Sequence, residues 1–131
     1  MFLDASAIIA ILARESDSAA LTARLGQAVE VYTSPVAYYE AVLGLARIGN
    51  ISFAEAETAL NRFLEEVSAK IIPITAAIGH AAIKAFERYG KGRHAANLNL
   101  GDCFAYACAQ DIQAPLLFKG NDFPQTDIIV A

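Results

Sequence analysis

The 131-residue sequence has little of what defines several protein classes. It contains only two cysteines, Cys103 and Cys108, with no CxxC pair and no Cys/His spacing typical of a zinc site. On a helix their side chains would point about 140° apart, so they cannot form a disulfide with each other there. Free thiols suit a reducing cytoplasm, which is therefore the expected location.

Long apolar runs and an excess of basic residues are absent as well. The run AIIAIL at 7–12 is too short to cross a bilayer and no basic leader precedes it, so we expect neither a signal peptide nor a transmembrane helix. A formal net charge of −4 argues against a chain built to coat nucleic acid. This negative charge does not exclude a site that binds phosphates through bound cations.

Apolar residues, in contrast, are abundant. They make up 56% of the chain, against 18% for charged residues, and the usual apolar share is about 45–50%. This excess predicts either a large core for the chain length or apolar surface that is buried against a second chain.

Short apolar runs alternate with helical patterns along the chain. Strands are predicted at 1–4, 30–34, 71–74, 115–118 and 128–131, and helices at 6–15, 16–26, 35–49, 52–70, 75–90 and 99–111. This alternation predicts an α/β fold with a short, mainly parallel central sheet covered by helices on both faces. Because no repeat, low-complexity tract or linker interrupts the pattern, residues 1–131 are expected to form one domain.

Four acids fall near one edge of the predicted sheet. In an open parallel sheet, ligands bind beyond the carboxyl ends of the strands. The four acids expected there are Asp4, Glu40, Asp102 and Asp122. Clustered carboxylates repel each other, and hard divalent cations such as Mg²⁺ remove that repulsion. The chemistry that uses such a ring of acids is metal-assisted cleavage of a phosphodiester.

Each acid also has a purely structural interpretation. With Asn99 as the N-cap, Asp102 would occupy the third helical position and interact favourably with the helix dipole. Glu40 shares a helical line with Gly44 and Arg47, so it could mark a solvent-facing stripe. No single acid therefore identifies the site.

The remaining polar candidates are open to the same objection. Asp4 and Asp122 could be ordinary turn residues. Ser6 is expected to cap a helix rather than to act as a nucleophile, because no histidine lies near it in the sequence. Three tyrosines are expected to be packing or interface residues rather than a platform for base stacking: Tyr38, Tyr39 and Tyr106.

Taken together, these residues resemble those of PIN-domain ribonucleases, specifically the VapC-type toxins of bacterial toxin–antitoxin pairs. The resemblance covers the whole chain, through the segments FLDASAIIAIL, SPVAYYEAVLGLARIG, RYGKGRHAANLNLGDCFAYACA and LLFKGNDFPQTDI. It implies a PIN-like three-layer α/β/α sandwich. The family pattern assigns its four acids to Asp4, Glu40, Asp102 and Asp122. It also assigns a supporting hydroxyl to Ser6 and a polar or acidic position to Asn121.

The resemblance further implies what such a protein does. It implies an endoribonuclease that depends on Mg²⁺ or Mn²⁺, cleaves tRNA or ribosomal RNA, and thereby inhibits translation. It implies a homodimer and a cognate VapB-type antitoxin, which would inhibit the toxin and alone contact operator DNA. Three basic residues are additional candidates for RNA contact: Lys91, Arg93 and Lys119.

Two other functions stay open on sequence grounds. A haloacid-dehalogenase-like phosphatase also has an Asp at the end of its first strand, although Ser6 stands where that chemistry usually has a second Asp. Alternatively, the chain could be a metal-free interaction module whose acids are structural. The phosphatase differs from the nuclease in the role of Asp4, which is a nucleophile in the first and a metal ligand in the second. In the interaction module, replacing Asp102 with asparagine would leave stability and partner binding intact.

Overall fold

Four short parallel strands form the centre of the molecule. The structure, a computed structural model, describes residues 1–131. The strands are β1 (Phe2–Leu3), β2 (Tyr32–Thr33), β3 (Lys70–Ile71) and β4 (Leu116–Leu117), in the spatial order β3-β2-β1-β4. Phe2 lies beside Tyr32 on one side and Leu116 on the other. All pairs are parallel, so the predicted sheet type is confirmed. β3, which precedes Pro73, is an edge strand, where a proline costs no hydrogen bond of the sheet.

Six helices connect and cover the strands. They are α1 (Ala5–Leu12), α2 (Ser18–Leu25), α3 (Pro35–Gly49), α4 (Phe53–Glu66), α5 (Ala76–Tyr89) and α6 (Leu100–Asp111). Polar side chains cap the starts of five of them by accepting a hydrogen bond from a backbone N–H of the first turn. The capping residues are Asp4, Ser34, Ser52, Thr75 and Asn99. None of the helices combines the length and apolarity that crossing a membrane requires.

The sheet separates two apolar cores. Successive residues of a strand point to opposite faces, and β1 accordingly sends Leu3 to one core and Phe2 to the other. On the Leu3 side, α1, α3 and α4 cover the sheet, and Leu117 of β4 lies in the same core. On the Phe2 side, α5 and α6 cover the sheet, and Leu116 of β4 lies in that core. The predicted three-layer α/β/α arrangement is therefore confirmed.

The start of α1 differs from the sequence-based expectation. Ser6 was expected to cap this helix, but Asp4 does so, with an extended backbone and a carboxylate that accepts a hydrogen bond from the Ser6 N–H. The strand ends one residue earlier than predicted, which leaves Asp4 between strand and helix. Ser6 therefore lies inside the first helical turn.

Several predicted boundaries were wrong, such as the end of α1, which is Leu12 rather than Glu15, and that of β3, which is Ile71 rather than Ile74. Two further differences have a physical reason in the backbone. Helix α4 ends at Glu66 rather than Lys70, because Ser68 adopts a left-handed backbone conformation (φ 52°) and the Ala69 N–H bonds back to the Leu64 carbonyl. The strand predicted at 128–131 is only a single bridge between Val130 and Leu116. Its partner β4 is two residues long, so there is little edge for it to pair with.

Candidate functional site

An open cavity of about 560 Å³ lies at the carboxyl edge of the sheet. Its walls come from the β1–α1 junction, one side of α3 between Tyr39 and Arg47, and the start of α6, three elements far apart in sequence. Because all four strands are parallel, their carboxyl ends and the helix starts that follow meet at this edge. The structure thereby brings together three of the four predicted acids, Asp4, Glu40 and Asp102.

Asp4 lies on the floor of this cavity and is only 4% exposed. Its Oδ2 accepts hydrogen bonds from the Ser6 backbone N–H at 3.0 Å and from the Ser6 hydroxyl at 2.5 Å. The same hydroxyl oxygen accepts a hydrogen bond from the Lys119 N–H at 3.0 Å. Burial raises the pKa of Asp4, while the bonds from Ser6 oppose that shift. Ser6 thus fixes Asp4 and links it to the loop that follows β4.

Glu40 lies half-buried on the α3 wall and accepts no hydrogen bond from the protein. Burial, followed by the charges of Asp4 and Asp102, raises its pKa to about 7. The first turn of α6 approaches it so closely that a Cβ on Gly101 would fall on both carboxylate oxygens of Glu40. A glycine at position 101 is therefore what lets α6 bring Asp102 beside Glu40.

Asp102 both takes part in capping its helix and lines the cavity. It forms a capping box with Asn99: its Oδ2 accepts from the Asn99 N–H at 3.0 Å, and its own N–H donates to Asn99 Oδ1 at 2.9 Å. It also lines the cavity. Burial raises its pKa to about 6, and the charges of Asp4 and Asp122 act in the same direction against the bond from Asn99. The helix cap therefore orients the acid toward the other carboxylates.

The loop after β4 carries the fourth acid, outside the cavity wall. Asp122 is exposed and does not line the cavity, although its charge contributes to the pKa of Asp102. Asn121 is exposed too, and its only hydrogen bond is from Gln125 to its backbone carbonyl. The hydrogen bond from Lys119 to Ser6 holds the start of this loop next to Asp4.

None of the three predicted basic contacts lines the cavity. Lys119 is ion-paired with Glu15 and lies 3.5 Å from Asp17, whereas Arg93 donates to the Glu87 carbonyl. Lys91 is exposed and makes no side-chain bond.

Sequence reasoning missed the basic residue that does line the cavity. Arg47 lies on the α3 wall, two helical turns beyond Glu40. The available signal was the helical line through Glu40, Gly44 and Arg47, which was interpreted as a solvent stripe.

The donor set fits a hard divalent cation. All the acids offer oxygen, which Mg²⁺ prefers, and the raised pKa values at Glu40 and Asp102 reflect in part the repulsion that a cation would relieve. No three His, Cys, Asp or Glu side chains are close enough to form a complete metal cage. Mg²⁺ does not need one, since it commonly keeps several waters and takes one or two direct carboxylates.

Comparisons with known proteins agree with one another. The PIN domain family model matches residues 1–129. A VapC ribonuclease of Rhizobium meliloti is 40% identical over 139 aligned residues, covering 97% of this chain and 98% of the relative. Ribonuclease VapC36 of Mycobacterium tuberculosis is 40% identical over 130 residues, covering 98% of this chain and 91% of the relative.

Two solved structures share the fold. Mycobacterium tuberculosis VapC20, a sarcin-ricin loop cleaving toxin, superposes with a TM-score of 0.77 at 15% identity, covering 99% of this chain and 97% of that one. A toxin–antitoxin complex from Klebsiella pneumoniae gives a TM-score of 0.70 at 18% identity, covering 99% and 95%. At these identities the likeness shows the three-layer fold alone.

Replacing Gly101 with alanine tests the close approach of α6 to Glu40. We expect the variant to fold, because alanine favours a helix by about 0.5–1 kcal/mol over glycine and the carboxylate is the far end of a flexible side chain. The Glu40 side chain should move toward solvent, so its pKa should fall from about 7 toward the ordinary 4.5. A ¹³C NMR titration of the Glu40 carboxyl measures this shift. Gly79→Ala is the matched control, since a Cβ there meets nothing within 4 Å, and an unchanged Glu40 titration in Gly101→Ala would contradict the geometry.

Replacing Glu40 with glutamine tests the repulsion through the pH dependence of stability. The folded-state pKa of Glu40 is raised from 4.5 to about 7, so its contribution to stability is fully present below pH 4.5 and is lost as the pH rises through 7. Without divalent cations, Glu40→Gln should match the parent near pH 4 and exceed its free energy of unfolding near pH 8, on the order of 1–2 kcal/mol after allowance for solvent screening. Urea unfolding across this range measures the difference. Exposed Glu57→Gln should show no such crossover, and parallel curves for Glu40→Gln and the parent would refute the repulsion.

Proposed function

This chain belongs to the PIN-domain family and, within it, to the VapC ribonucleases, and we propose that it is a metal-dependent endoribonuclease toxin. The observation that carries the proposal is the open cavity in which Asp4, Glu40 and Asp102 meet. The names of the relatives support RNA as the substrate. Three carboxylates in one partly buried cavity support a divalent cation, Mg²⁺ or Mn²⁺, as cofactor.

The proposed roles follow from where each acid lies. Asp4, Glu40 and Asp102 would hold the cation directly or through waters, and Asp122 would approach from the loop after β4. Ser6 keeps the Asp4 carboxylate in place, and Asn99 keeps that of Asp102 in place. When bound, the cation would activate water and neutralise the charge that develops on the phosphate.

The proposed reaction is hydrolysis of a phosphodiester. The oxygen of a water molecule forms a bond to phosphorus, and the bond from phosphorus to the 3′ oxygen breaks. Of the two protons of the water, one is taken up by the 3′ oxygen, which leaves a 3′-hydroxyl on one fragment, and the other stays on the 5′-phosphate of the second fragment or passes to solvent. The carboxylates would hold the cation that neutralises the phosphate and would accept a hydrogen bond from the attacking water, which keeps the two aligned.

We propose tRNA or ribosomal RNA as the target, so that one cut inhibits translation. The fold neighbour VapC20 is described as cleaving the sarcin-ricin loop, which supports a structured RNA. Translation takes place in the cytoplasm, and the two buried free thiols suit that reducing compartment.

We also propose that the chain forms a homodimer and that a cognate VapB-type antitoxin neutralises it and alone contacts operator DNA. The toxin–antitoxin complex among the fold neighbours supports an antitoxin partner. Large exposed apolar side chains, among them Ile83, Phe86 and Leu100, support association with other chains. Light scattering of the purified protein should give about twice the chain mass of 13.9 kDa, and a monomer at all concentrations would contradict the homodimer.

Replacing Asp102 with asparagine tests the nuclease directly. Asparagine keeps an oxygen that accepts the cap bond from Asn99 but removes the charge, so the variant should fold and its Mg²⁺-dependent RNA cleavage should fall at least about a hundredfold. Asp111→Asn, at the exposed end of the same helix, is the matched control and should keep full activity. Both proteins are purified from a host that lacks the parent protein, and cleavage is measured with and without EDTA.

The same experiment separates the alternatives. Full RNase activity in Asp102→Asn would contradict the proposed function. A phosphatase would instead trap phosphate covalently on Asp4. An interaction module would show no hydrolysis in any variant while still binding its partner.

A further inference from the structure

Arg47 is the single basic residue on the walls of the acidic cavity. The chain has ten Lys and Arg residues, and of these only Arg47 lines the cavity with Asp4, Glu40 and Asp102. Most of the others are engaged by acids or carbonyl groups, as Arg88 is by Asp127. Arg47 is exposed and makes neither an ion pair nor a side-chain hydrogen bond.

The charge of Arg47 is not used to neutralise the acids. The influences on the pKa of Glu40 are its burial and the charges of Asp4 and Asp102, without a contribution from Arg47. Arg47 lies seven positions after Glu40 on α3, which is about two turns or 10.5 Å along the helix axis. The two side chains form no ion pair, and both line the same open cavity.

An exposed aromatic ring lies on the same wall as Arg47. Gly44, between Glu40 and Arg47, lets α1 pack closely there, because a Cβ at this position would meet the Ile9 side chain of α1. Tyr39 lines the same cavity and is 65% exposed. The other two tyrosines considered above behave as packing residues: Tyr38 donates to Asn61, and Tyr106 is buried and donates to Asp127.

From this arrangement we infer that the α3 wall is a binding subsite for single-stranded RNA, in which Arg47 binds a backbone phosphate next to the scissile one and Tyr39 stacks on an unpaired base. The inference rests on the proposed ribonuclease function. It adds that the RNA strand runs along the α3 side of the cavity. A planar guanidinium binds phosphate through paired N–H donors, and stacking on an aromatic ring tolerates any base. The wall therefore holds the strand without reading its sequence.

The test measures binding separately from cleavage. The probe is a fluorescein-labelled single-stranded RNA of mixed sequence, titrated with EDTA present so that no cleavage occurs. Arg47→Gln should raise Kd about fivefold or more and reduce the slope of log Kd against log salt by about 0.7, the share of one phosphate contact on a single strand. Arg47→Lys keeps a positive charge and should restore the slope. Arg62→Gln removes an exposed charge from α4, away from the cavity, and should change neither quantity.

Tyr39 has its own pair of variants. Tyr39→Ala should raise Kd about fivefold or more with the salt slope unchanged, whereas Tyr39→Phe should bind like the parent because stacking needs only the ring. With Mg²⁺ present, Arg47→Gln and Tyr39→Ala should raise KM more than they lower kcat.

The inference is overturned if Arg47→Gln and Arg62→Gln have the same effect on Kd and on its salt slope. It is also overturned if Tyr39→Ala changes the mass of the protein in light scattering but not its RNA affinity, since the wall would then be a protein interface. Failure of the proposed function gives a different result, because the parent protein would then cleave no RNA, whether or not it binds RNA. A loss of binding in the Arg47 variant with cleavage absent throughout would refute the nuclease and leave the α3 wall as an RNA-binding surface without a scissile phosphate, which overturns the subsite as stated.

Discussion

Carboxylates held in one partly buried cavity repel each other, and the architecture must hold them there against that repulsion. The parallel sheet contributes first, because it places the β1–α1 junction, α3 and α6, which carry the acids, at one edge. The second contribution is local: each acid stands on a different rigid element, so no single loop can relax and let the charges move apart. Gly101 completes the arrangement, since any larger residue would push Glu40 out of the cavity.

Two of the acids also stabilise the helices that carry them. Asp4 caps α1, and Asp102 closes the capping box of α6. Helix caps of this kind contribute about 0.5–2 kcal/mol each, which offsets part of the cost of burying charge. The same hydrogen bonds orient the carboxylates, so local folding and site geometry are two effects of one set of contacts. Glu40 has no such bond, so nothing opposes its burial and the charges of Asp4 and Asp102, which raise its pKa to about 7.

Sequence reasoning found the features that depend on local patterns and missed those that depend on packing. Asn99 as the cap of α6 and the parallel sheet followed from capping residues and from alternating apolar runs. The end of α4 was missed because the residue in the left-handed conformation after it is Ser68 and not the glycine that usually marks a helix end. The ion pair between Lys119 and Glu15 joins residues 104 positions apart, and nothing in either segment marks it. The four acids were named from spacing and family resemblance, but that Asp122 stands outside the cavity wall depends on where the loop after β4 turns.

The distribution of charge also bears on how an acidic protein can handle RNA. Its net charge is −4, most of its cations are engaged within the protein, and the cavity floor is acidic, so long-range attraction to a polyanion is weak. Affinity must then come from a few short-range contacts that form only when a phosphate is already at the cavity. In the proposed function, a cation at the acids and Arg47 on the wall would be contacts of this kind, and they would favour an RNA whose folded shape presents one exposed strand over RNA in general. Selectivity would accordingly depend more on the shape of the target than on its sequence.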